Sequence, residues 1–164
     1  MREILFRGKS IDTDEWVFGS FVMDALEQFN GLCGVDGFIR LYDKNKRKTQ
    51  MYEVDRETVG QYTGMKDKHG KRIFEGDIVR ATIERAEGLK SPRTENGAIG
   101  YDCIGMIGLI LYKDKNGENV WSDFFNELSL SGLIEDYYFE IIGNIYDNRE
   151  LLDGGAELWN SYSV

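Results

Sequence analysis

Glycine sits inside the longest apolar runs of this chain: Gly19 in EWVFGSFVM, Gly105 and Gly108 in CIGMIGLILYK, and Gly143 in EIIGNIY. In a helix interior glycine costs roughly 1 kcal/mol against alanine, whereas inside a strand it marks a bulge or a sharp bend. The runs themselves are short, alternating or rich in aromatic and β-branched residues, and separated by polar turns. They read as strands at 3–7 and 15–23, at 37–43 and 49–54 around KNKRK, at 77–83, 103–113 and 119–125, and at 140–146. Helical signals are few. Asp55 could cap a turn over Glu57–Gln61, Phe124, Phe125 and Leu128 have helical spacing within Ser122–Leu130, and Asn148–Leu152 suits a turn before Gly154 and Gly155. The expected fold is mainly β, at the margin of α+β: small barrel-like antiparallel sheets with bulges and a few short helices.

The 164 residues suffice for one domain with a real core, and 41% hydrophobic content argues for a folded chain. A single domain over 1–164 is expected, with a β subdomain at 1–54 and a barrel-like part at 55–152. Residues 84–100, ERAEGLKSPRTENGAIG, hold the only proline and read as a long mobile loop. No apolar run reaches the roughly 18 residues that span a bilayer. The opening MREILFRGKSID is too short and too charged for a signal peptide, so a cytoplasmic protein without membrane contact is expected. Cys33 and Cys103 lie in isolated contexts, as free thiols do.

The motif Lys66-Asp-Lys-His-Gly70 recurs as Lys113-Asp-Lys-Asn-Gly117. Asp opens such a turn and Gly takes its positive-φ position, so the stretch reads as a tight hairpin turn carrying solvated lysines. His69, the only histidine, falls at its tip, where neither an orienting carboxylate nor a cleft is expected. One histidine and two distant cysteines make no zinc set, and the Asp114–Asn119 stretch lacks the glycine and glutamate positions of a calcium loop. Gly8-Lys9-Ser10 lacks the first glycine of a phosphate loop, where Glu3 stands. The carboxylate pairs (Asp12 with Asp14 and Glu15, Glu75 with Asp77, Glu135 with Asp136) read as solvated surface in a chain of 29 acids. No enzyme, no cofactor and no metal is therefore expected.

Charge is unevenly placed. Residues 1–113 hold 18 acidic and 18 basic side chains, whereas 114–164 hold 11 acids against Lys115 and Arg149. An acidic third repels phosphate backbones and suits a basic partner. Glu135, Asp136, Tyr137, Tyr138 and Trp159 are the candidate protein contacts, as aromatic anchors with an acidic rim. The alternative is single-stranded nucleic acid on the two basic turns, through Lys44, Lys46, Arg47, Lys48, Lys66, Lys68, Lys71 and Arg72 with nearby aromatics. Against it stands edge protection, the ordinary role of lysines on turns. A further alternative is that the acidic third imitates nucleic acid.

VDRETVGQYTGMKDKHGKRIFEGDIV (54–79) resembles the signature segment of the YopX-like phage and prophage proteins. ILFRGKSIDTDEWVFGSF resembles that family's opening hairpin, and EIIGNIYDNRELL its ending. Together these cover about 57 of 164 residues, in the family's order. The resemblance implies a small, mainly β accessory protein of a phage or prophage in a bacterial host, one that self-associates. It assigns no catalytic residue to carry over. Gly60, Gly64, Gly70, Gly76, Ile78 and Val79 match its recurring positions as fold determinants, with Gly76-Asp77 turning into a barrel strand. On both grounds the expected function is a non-enzymatic module that binds a host or phage protein, or its own copies.

Overall fold

The computed structural model describes residues 3–23, 37–43, 48–86, 92–101, 107–113, 116, 118–122 and 134–152. Nearly all of them lie in strands, as the alternation predicts. The chain divides into two compact units, Met1–Gly64 and Met65–Val164. The subdivision expected after residue 54 falls instead inside a single strand that continues to residue 66.

In the first unit β1 (Phe6–Ser10) forms a hairpin with β2 (Trp16–Met23), Phe6 opposite Gly19 and Lys9 opposite Trp16. β2 pairs with β3 (Gly37–Asp43), and β3 with β4 (Lys48–Lys66), all antiparallel. β4 then returns to β1, Phe6 opposite Gln61 and Ser10 opposite Val54, which closes β1 to β4 into a ring. Ile39 and Val54 are buried inside it.

The ring contains one large bulge. Arg7 faces Gly60 and Lys9 faces Asp55, so residues 56–59 of β4 stand opposite Gly8 alone. Here the sequence suggested a helical turn capped by Asp55. Asp55 does accept from the Glu57 N–H, at 3.0 Å, but within an extended strand. The Thr58 hydroxyl closes the bulge, donating to the Asp55 carbonyl at 2.6 Å and accepting from the Lys9 N–H at 2.8 Å. The β-branches of Thr58 and Val59 favour this outcome over a helix.

In the second unit, β5 (Arg72–Phe74) follows the hairpin turn that ends β4. A five-stranded antiparallel sheet follows, in the order β10-β6-β7-β8-β9, formed by β6 (Asp77–Ala86), β7 (Arg93–Tyr101), β8 (Ile107–Lys113), β9 (Asn119–Trp121) and β10 (Ile134–Asn144). No pairing among the described residues closes it, so the barrel expected after Gly76 is an open sheet and the ring lies in the other unit. Each face carries an apolar cluster. Val79, Ala81, Ile83, Ile99, Leu109 and Phe139 pack on one side with Ile73. Ile78, Ala98, Ile110 and Leu152 pack on the other, with Trp121 and Ile145 against them. A 3-10 helix at Arg149–Leu151 brings in Leu152 where a turn was expected.

Two expectations need correction. The supposed loop at 84–100 is mostly strand: β6 runs to Ala86 and β7 begins at Arg93. Its glycines hid a strand by thinning the apolar pattern. Nor are all strand glycines bulges. Gly143 does fall at a register shift, but Gly108 lies under the Trp121 ring and Gly19 against the Arg40 carbonyl, each in regular pairing. The helical spacing at 124–128 lies outside the described residues, as do Cys33 and Cys103.

Candidate functional site

The signature segment ends in the hairpin turn predicted for it. Asp67 donates its N–H to the Lys71 carbonyl, Gly70 donates to the Asp67 carbonyl, and Gly70 takes φ +82°. This is the three-residue hairpin turn in which glycine supplies the left-handed position. The Asp67 carboxylate is buried beneath it. Its Oδ1 accepts from the His69 N–H at 2.9 Å and the Lys71 N–H at 2.8 Å, and a third amide, from Ile141 on β10, also donates to this carboxylate. Burial would raise the Asp67 pKa. The three amides outweigh it and, with His69 nearby, hold the carboxyl below its ordinary value of about 3.8.

That third donor shows where the turn sits. It lies along the outer edge of β10, with the Lys68 N–H donating to the Phe139 carbonyl at 2.8 Å. The Lys68 ammonium reaches Glu140 at 3.0 Å and lies 5.2 Å from the centroid of the Tyr138 ring. Arg80 approaches Glu140 at 3.8 Å and His69 at 3.9 Å. The Lys68 hydrogen bond lowers the Glu140 pKa; partial burial opposes it, and the charges of Lys68, Arg80 and His69 add to it.

Two candidate surfaces that the sequence set in competition are therefore joined, because Lys68 of the basic turn contacts Tyr138 of the acidic segment. Glu140, which the sequence did not single out, is the acid that collects the cations; its only sequence signal was its place in EIIGNIYDN. Lys66, Lys71 and Arg72 are exposed around the turn, and Lys48 is exposed at the start of β4. Lys44, Lys46, Arg47 and Trp159 lie outside the described residues, as does the Glu135 side chain. Asp136 and Tyr137 are exposed on β10, Tyr138 is half-buried, and Tyr137 packs edge-on to the buried Phe139 with centroids 5.9 Å apart.

In the first unit, shallow depressions of about 630 and 410 Å³ flank the β4 bulge, the larger lined by Phe21, Arg56, Glu57 and Val59. Among the described residues no three His, Cys, Asp or Glu side chains group as metal ligands. Among them, too, no helix is long and apolar enough to cross a membrane.

The Lys68–Glu140 contact yields a direct test. Lys68→Ala should move the Glu140 titration midpoint upward, toward the ordinary value of about 4.5, with little change in thermal midpoint because a partly exposed ion pair contributes little to stability. Carboxyl NMR titration reads this; an unmoved midpoint would show that Lys68 does not govern Glu140.

The family model described as YopX protein matches residues 6–153. No curated protein matches the chain. Among solved structures, the crystal structure of protein EF1440 from Enterococcus faecalis is similar, at 22% identity over 93% of this chain and 99% of that one, with a TM-score of 0.41.

Proposed function

This chain belongs to the YopX protein family, and on that premise we propose that it is a non-enzymatic module of phage or prophage origin that binds a protein in the bacterial cytoplasm. The observation that carries this reading is on β10, the terminal strand of its sheet, where Asp136 and Tyr137 stand exposed. An aromatic beside an acid on a strand edge is the composition of a protein contact rather than of a phosphate-binding groove. The nucleic-acid alternative is weakened by Lys68, whose charge is directed to Glu140 and whose backbone is tied to β10.

Affinity capture of the tagged chain from a bacterial lysate, with and without nuclease, tests the proposal. A stoichiometric protein that survives nuclease is the expected result. Recovery that vanishes with nuclease would overturn the reading in favour of the basic turns.

A further inference from the structure

Strand β10 already binds one basic segment, its own. The 67–68 backbone lies against the outer edge at Phe139 and Ile141, and the Lys68 ammonium meets a carboxylate and a tyrosine ring. Strand geometry repeats every second residue. Because the Phe139 carbonyl and the Ile141 N–H turn outward, the N–H and carbonyl of Tyr137 turn outward as well, with regular pairing to β6 from Tyr137 to Ile141. Beside this edge stand the exposed Asp136 carboxylate and the exposed Tyr137 ring. Tyr138 and Glu140, two positions apart, share the face that holds Lys68. Two positions before Tyr138 the same face carries the exposed Asp136, while the Tyr137 ring lies on the opposite face beside Phe139.

We propose that this stretch of β10, Ile134–Tyr137, accepts a short, extended, basic segment of a partner protein as an added strand. The inference rests on the binding-module reading above and names its site and the chemistry of its ligand. Main-chain hydrogen bonds to Tyr137 set the direction; a lysine or arginine of the incoming strand takes the Asp136 carboxylate on one face, as Lys68 takes Glu140, and the neighbouring apolar residue packs on the Tyr137 ring on the other. Charge decides against the obvious rival, a second copy pairing β10 to β10 around this stretch, since that would bring Asp136 of one strand close to Asp136 of the other. Register shifts on both sides of Asp136 keep the free edge short. The ligand is correspondingly a motif of about four residues and not a long strand.

The probe is the peptide acetyl-Lys-Val-Lys-Val-Lys-amide, titrated into the isotope-labelled full chain at about 0.15 M salt and followed by amide NMR. The Tyr137 amide should shift saturably below about 5 mM peptide, and its hydrogen exchange should slow at least tenfold at saturation. Asp136→Lys should raise the dissociation constant at least tenfold, and Tyr137→Ala should weaken binding in the same sense. The same peptide with glutamates for lysines should not bind. Nor should one with prolines for valines, which keeps the charge and loses the N–H groups. An unmoved Tyr137 amide overturns the inference, and so does equal binding of the proline peptide, which would reduce the contact to charge alone. A captured lysate partner whose retention is indifferent to Asp136→Lys also overturns it, while leaving the binding-module reading in place.

Discussion

Asp67→Ala should destabilise the protein by about 3 kcal/mol, and so lower its thermal midpoint by roughly 6–12 °C, although the residue lies in a surface turn. Three backbone amides converge on one buried carboxylate, two from the turn and one from β10. Alanine removes the acceptor and leaves all three N–H groups to find water in a confined place. Asp67→Asn should recover only part of the loss, because its amide nitrogen cannot accept the bonds that an ionised oxygen does. The pH dependence has a definite sign. The folded pKa is depressed, so this contribution is fully present above about pH 4 and is lost as pH falls through the folded pKa. Chemical denaturation of wild type and Asp67→Asn between pH 7 and pH 2 checks it: the stability difference should shrink on the acid side. A difference that persists unchanged to the lowest pH would mean that the carboxylate's charge is irrelevant to the turn.

This turn was readable from the sequence because its chemistry is local. Asp67 and Gly70 belong to residue types that few other geometries require, and only two residues separate them. The Lys68–Tyr138 contact was not readable, since it joins positions seventy residues apart and depends on which strand ends the sheet. Each partner was singled out, but for opposite functions. Glu140 was passed over for the same reason: an acid among 29 gains meaning only from the cations that the fold brings to it. The Asp55 misreading has a different cause. An aspartate that accepts from the amide two residues on occurs both at helix starts and in strand bulges, and the local pattern does not separate them. What decided it was the closure of β4 on β1, a pairing set by the whole ring. In β7 the apolar pattern failed because Gly97 and Gly100 occupy places where the Leu109 and Ile110 side chains press in from β8. The neighbouring strand's bulk replaces the bulk that a strand signal is read from.

Gly19→Ala should cost the amino-terminal unit about 2–3 kcal/mol, for a reason that has nothing to do with φ. A Cβ built on Gly19 would collide with the Arg40 carbonyl oxygen, lie 2.9 Å from the Arg40 carbonyl carbon, and lie 3.0 Å from Cγ2 of Ile39. Two of the three obstacles are backbone, so no rotamer change relieves them. Moving β2 away from β3 is no easy escape either, because β1 to β4 close on themselves and a shift at one pair must be absorbed at the others. Gly70→Ala provides the contrast. There φ is +82° and nothing lies within 4 Å of an added Cβ, so only the left-handed backbone is penalised, at about 1 kcal/mol. Amide exchange separates the two. Protection at Ile39 and Val54, both buried in the ring, should fall by roughly a factor of 30 or more in Gly19→Ala and stay unchanged in Gly70→Ala. If the two variants lose stability equally, or if Gly19→Ala leaves those amides protected, the close approach of β2 and β3 is not what holds the ring shut.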